Sequence, residues 1–140
     1  MVFRNPDTIH KPVGAYHHQV EVSGNTKWLV LSGQLGMDKN GHVPEDPIAQ
    51  LEIALDNVLL NLEAAGMSKE NLVKLVYYFV GPIDTTQRRC VVSSKLGDHI
   101  PCATVLFISG LASDIYKVEI DAWAVASSGS GLRMGLFRDA

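Results

Sequence analysis

An α+β fold, with two helices laid on one face of a sheet, is what three features of this sequence predict. The first is a stripe of apolar residues at helical spacing between 47 and 65. The second is the run LVKLVYYFV (72–80), rich in β-branched and aromatic residues. The third is a pair of strand-like runs, PCATVLFISG and IYKVEIDAWAVA, joined by a turn at LASD. With 140 residues, 46% of them hydrophobic, the chain suffices for one domain with a real core.

Taken in order, residues 1–15 read as an extended lead-in punctuated by Pro6, Pro12 and Gly14. YHHQVEV (16–22) alternates as a strand, Ser23-Gly24-Asn25 supplies turn chemistry, and KWLVLS (27–32) follows, so a hairpin is expected. Two glycines then flank a strand end in SGQLG (32–36), and DKNG (38–41) makes another turn. Asp46 is placed to cap the first helix, and Pro47 suits its first position, where the missing N–H costs nothing. Leu51, Ala54, Leu55, Val58, Leu59, Leu62 and Ala65 form its apolar face, with Glu52, Asp56, Asn57, Asn61 and Glu63 mostly opposite and Gly66 as the stop. A second helix is expected from Asp84 or Thr85 to Leu96-Gly97, with Asp84 and Gln87 spaced as a capping box. Residues 1–126 read as one domain, and 127–140 (SSGSGLRMGLFRDA) as a Ser/Gly-rich linker and tail.

A net charge of -3 with scattered Lys and Arg argues against nucleic acid as a partner, since phosphate binding needs clustered cations. Cys90 and Cys102 are too few for a disulfide framework and lack zinc-site spacing, so they read as reduced thiols of a cytoplasmic protein. MVFRNPDTIHKPVG lacks the apolar core of a signal peptide, and no run approaches a membrane span. His17 and His18 would point to opposite faces of a strand, so no metal site is expected, and the GxxG of 33–36 is too short for a dinucleotide loop. Two helices cover only one face of a sheet, yet 72–80 and 103–108 are apolar on both faces. A second subunit is the simplest cover, and a homo-oligomer is expected.

Glu119 and Asp121 stand two residues apart, so both carboxylates face one side of an otherwise apolar strand. Around them, GAYHHQV (14–20), SGQLG (32–36), NVLLNLEAAGMSKENLVKLVYYF (57–79) and KVEIDAWAV (117–125) together resemble the Rid family (YjgF/YER057c/UK114) in order and spacing. The resemblance implies a chorismate-mutase-like fold, a homotrimer, small-molecule clefts at the subunit interfaces and no cofactor. Catalytic members hydrolyse reactive imines and enamines, often 2-imino acids, to 2-keto acids and ammonia. By that resemblance Glu119 is the cleft glutamate that orients water and carries protons. Tyr16 is the cleft tyrosine, while Ser32, Gly33 and Ala103 line the substrate site. Asp121 and Cys102 read as structural.

The sequence departs from the family at one position that matters. Where catalytic members have Pro-Ala-Arg, whose arginine holds a substrate carboxylate, this chain has Pro101-Cys102-Ala103, and Val105 replaces a cysteine found in many members. Losing a bidentate clamp weakens carboxylate binding by about two to four orders of magnitude. Arg88, Arg89, Arg133 and Arg138 are the arginines available as replacements. The alternative to an altered imine or enamine deaminase is a noncatalytic trimeric protein that binds a ligand or regulates a partner.

Overall fold

A computed structural model of the chain describes residues 1–128. The expected tail, with Arg133 and Arg138, lies outside the described residues. Strands β1 (Val2–Arg4) and β2 (Gln19–Glu21) form a small antiparallel sheet. The main sheet has the order β3 (Thr26–Val30), β7 (Val118–Ser127), β5 (Leu72–Val80), β6 (Cys102–Ile108), with the two-residue β4 (Gln34–Leu35) also paired to β7. Helices α1 (Pro47–Ala64) and α2 (Thr85–Leu96) complete the α+β architecture.

Both helices form where their sequence signals stand. The Asp46 carboxylate accepts a hydrogen bond from the Ile48 N–H at 3.1 Å, and Asp84 accepts from Gln87 at 2.8 Å. Leu51, Ala54, Leu55, Val58 and Leu62 of α1 are fully buried against Leu75, Phe79, Val118 and Ile120 of the sheet. Each large side chain so buried contributes roughly 1.5–3 kcal/mol, which is what fixes α1 across β5 and β7. Only Leu96 of α2 is buried, with Val91 and Val92 partly buried against the core. Lys95 ties it to α1 through Asp56 at 2.8 Å.

The pairing corrects one sequence expectation. The strand of 16–22 shortens to β2 and pairs with β1, not with β3, so the expected hairpin is absent and the N-terminal lead-in is itself partly a strand. Instead β3 lies antiparallel to β7, with Trp28 opposite Val125 and Val30 opposite Trp123. β7 offers ten residues with apolar side chains on both faces, and that ladder outweighs the local turn chemistry of 23–25. The last two strands, β6 and β7, follow each other in the chain but are not neighbours in the sheet. β5 lies between them, parallel to β6 and antiparallel to β7, and α2 is the crossover a parallel pair needs.

Both helices pack on the face that carries Leu75, Tyr77 and Phe79. The opposite face presents Trp28, Val30, Val76, Tyr78, Leu106 and Trp123, with Trp28 54% and Val30 63% exposed. No helix among the described residues is long and apolar enough to cross a membrane.

Candidate functional site

The residues singled out in the sequence gather at two places on opposite faces of the sheet. On the open face, Glu119 sits in β7 opposite Leu35 on one side and Tyr78 on the other. The chain leaves the β7 ladder between β3 and β4, and Ser32 and Gly33 occupy that break. A Cβ at Gly33 would lie 2.0 Å from Glu119 Oε2 and 2.6 Å from its Cδ, so the carboxylate occupies the space a side chain would take. Any side chain at position 33 would therefore displace the Glu119 carboxylate from its present place. Three residues on, a Cβ at Gly36 would lie 2.6 Å from the Gln50 Cα, and its absence lets the end of SGQLG rest on the α1 backbone.

Two polar residues that the sequence does not single out as functional hold this segment. Asn57, assigned to the polar side of α1, is half-buried and donates to the carbonyls of Leu35 at 3.0 Å and Met37 at 2.9 Å. Gln50, 1% exposed, donates to the carbonyls of Pro44 and Ile115 and accepts from the Lys117 N–H at 2.8 Å. Both lie where a helical wheel places a face boundary, so only the contacts reveal them.

Burial first, and the neighbouring Asp121 charge second, push the Glu119 carboxyl above its ordinary range. Among the described residues, the Asp121 side chain pairs with neither a lysine nor a backbone group. Its Oδ2 accepts a 2.8 Å hydrogen bond from the Tyr78 hydroxyl, which fixes that negative charge on the same face as Glu119. A carboxyl so perturbed and half-exposed is suited to carry a proton to and from a bound molecule.

On the helix face, a cavity of about 780 Å³ opens between α2, β5, β6 and the segment 13–16. Tyr16 and Ala103 meet there, with Arg88 and Arg89 from α2. The Tyr16 hydroxyl accepts from the Val13 N–H at 3.2 Å and keeps its own proton to donate. The segment is clamped to the start of β6: the His17 N–H donates to the Pro101 carbonyl at 3.2 Å, and its ring bonds the Ile100 carbonyl. His17 and His18 lie outside β2, so the strand argument about their faces does not apply. Cys102 is half-buried, and burial pushes its thiol up, away from a reactive thiolate.

One chain thus unites Tyr16 with Ala103 and Glu119 with Gly33, and the sheet separates the pairs. The family model described as Endoribonuclease L-PSP matches residues 8–126. The chain belongs to this family, the Rid or YjgF family. Among Rid relatives, the Escherichia coli 2-iminobutanoate/2-iminopropanoate deaminase is 31% identical over 117 residues, 81% of this chain and 88% of that protein. The RutC family protein PH0854 of Pyrococcus horikoshii is 30% identical over 116 residues, 81% of this chain and 89% of that one. Of solved structures, the Yersinia pestis Rid protein YyfB superposes with a TM-score of 0.75 at 27% identity, covering 88% of this chain and 96% of that one. The Escherichia coli YjgF gene product superposes at 0.65 with 30% identity, covering 81% and 90%. Rid membership and the YjgF-like fold agree with the sequence reading.

Proposed function

We propose that this Rid-family protein is a cytoplasmic homotrimer that hydrolyses a small reactive imine or enamine in clefts between its subunits. The observation that carries the reading is the Glu119 carboxylate lodged against the bare Gly33 backbone with its proton affinity raised. Water adds to the C=N carbon while Glu119 takes one of its protons and passes it to nitrogen, giving a carbinolamine. Glu119 then moves the remaining hydroxyl proton to nitrogen as the C–N bond breaks and the C=O bond forms. One imine and one water become one carbonyl compound and one ammonia, with no change of oxidation state and no need of a cofactor.

Two features support assembly. The open face exposes Trp28 and Val30 beside Trp123, an apolar surface of the kind a partner covers. Tyr16 and Ala103 are divided from Glu119 within one chain, and a neighbouring copy supplies the missing half of a cleft. The deaminase activity named for the Escherichia coli relative is the chemistry such a cleft suits. Two free thiols, Cys90 and Cys102, suit a reducing compartment.

Ala103 supports a second reading, a binding protein without turnover, because it leaves the strand position of the family arginine empty. The test is ammonia release from freshly generated 2-iminopropionate and larger imino acids, with wild type, Glu119→Ala and Ala103→Arg. Acceleration by wild type that Glu119→Ala abolishes establishes the enzyme. Activity present only in Ala103→Arg overturns it in favour of the binding protein.

A further inference from the structure

The cavity under α2 has one sign of charge. Its lining includes Arg88 and Arg89 and not one Asp or Glu, in a chain whose net charge is -3. Neither arginine forms an ion pair among the described residues. Arg88 is half-buried, its guanidinium carbon 5.7 Å from the centre of the Phe79 ring, so an aromatic face holds the fork in place. The helical spacing of Arg88, Val92 and Leu96 sets one cation above a hydrocarbon wall, and Leu75, Phe79 and Val105 make the floor.

A second feature points independently to a ligand. The Tyr77 side chain lines the same cavity, is 5% exposed, and its hydroxyl has no hydrogen-bond partner among the described residues. A buried hydroxyl left without a partner is destabilising, a loss that an acceptor from a bound molecule would recover. Burial pushes this phenol far above its ordinary range, so it stays a donor at any physiological pH.

We propose that Arg88, Arg89 and Tyr77 form a carboxylate anchor on the helix side of the cavity, and that its ligand is a small organic acid with an apolar or aromatic body. The anchor replaces, from α2, the cation that Ala103 does not supply from β6. The small Ala103 side chain leaves room above the floor, which selects a bulkier acid than a two- or three-carbon one. Planar forks and a phenolic donor suit a carboxylate, and the hydrocarbon floor discriminates against a bare inorganic anion. The assignment rests on the cavity being the ligand half of the proposed cleft; binding is measured apart from turnover, so the two readings fail separately.

The experiment is isothermal titration of the full chain with phenylacetate, its neutral isostere phenylacetamide, and inorganic phosphate. Saturable binding of phenylacetate alone is expected. Arg88→Ala or Arg89→Ala should each weaken it about tenfold or more, Arg88→Lys severalfold, and Tyr77→Phe up to about tenfold, with unchanged far-ultraviolet dichroism. Equal binding of phenylacetamide or phosphate, no saturable binding of phenylacetate, or wild-type affinity in both alanine variants would overturn the anchor. Carboxylate binding that depends on the arginines in a protein that releases no ammonia leaves the anchor standing and removes the enzyme. Ammonia release with a KM untouched by both alanine variants removes the anchor and leaves the enzyme.

Discussion

A missing side chain at position 33 is what allows the Glu119 carboxylate to sit against the backbone, and the space is too small for even a methyl group. Gly33→Ala should force that carboxylate out, cost about 1–3 kcal/mol in urea unfolding, and reduce imine hydrolysis more than it reduces stability. Unchanged turnover in a folded Gly33→Ala protein would detach Glu119 from the chemistry. The same carboxyl has a pH consequence of definite sign. Its folded-state pKa lies above the ordinary 4.5, so the native state holds the proton more tightly than the unfolded chain does. Wild-type stability therefore falls as pH rises from the ordinary value through the raised one, and levels off above it. Glu119→Gln should abolish that slope, which urea midpoints of both proteins between pH 4 and 7 would register.

At the scale of elements, α1 has two tasks on two faces. Its leucines and Val58 fill the core, and its amides, Gln50 and Asn57, hold the loops on either side of the Glu119 strand. Asn57→Ala leaves the Leu35 and Met37 carbonyls without their donor, and should lower stability by about 1–3 kcal/mol while impairing turnover through the displaced 34–37 segment. Amide exchange at those residues, faster in the variant than elsewhere in the sheet, is the localised readout. α2 differs in kind, since its inward side carries Arg88 and Val92 over a cavity.

For the whole molecule, the sheet has one face under two helices and one face bearing Trp28, Val30 and Trp123. Light scattering of the intact protein should give a trimer mass, and Trp28→Glu should yield monomers that remain folded but release no ammonia, because the two halves of the cleft no longer meet. A wild-type monomer at micromolar concentration would refute the assembly and with it the intersubunit site.

Helix positions, caps and strand β5 were legible in the sequence because they depend on local physics: 3.6-residue periodicity, an Asp at each N-cap, a β-branched run between turns. The shared face of Glu119 and Asp121 was legible for the same reason, through strand alternation. Strand partners were not. Turn chemistry at 23–25 suggested a hairpin, but β3 pairs with a strand about a hundred residues away, where pairing buries apolar area that no local rule sees. Neither the Gly33 contact with Glu119 nor the meeting of Arg88, Arg89 and Tyr77 beside Ala103 could be read from spacing. Both arise from elements brought together by the sheet order β3-β7-β5-β6 and the α2 crossover, which only the packing of the whole chain decides.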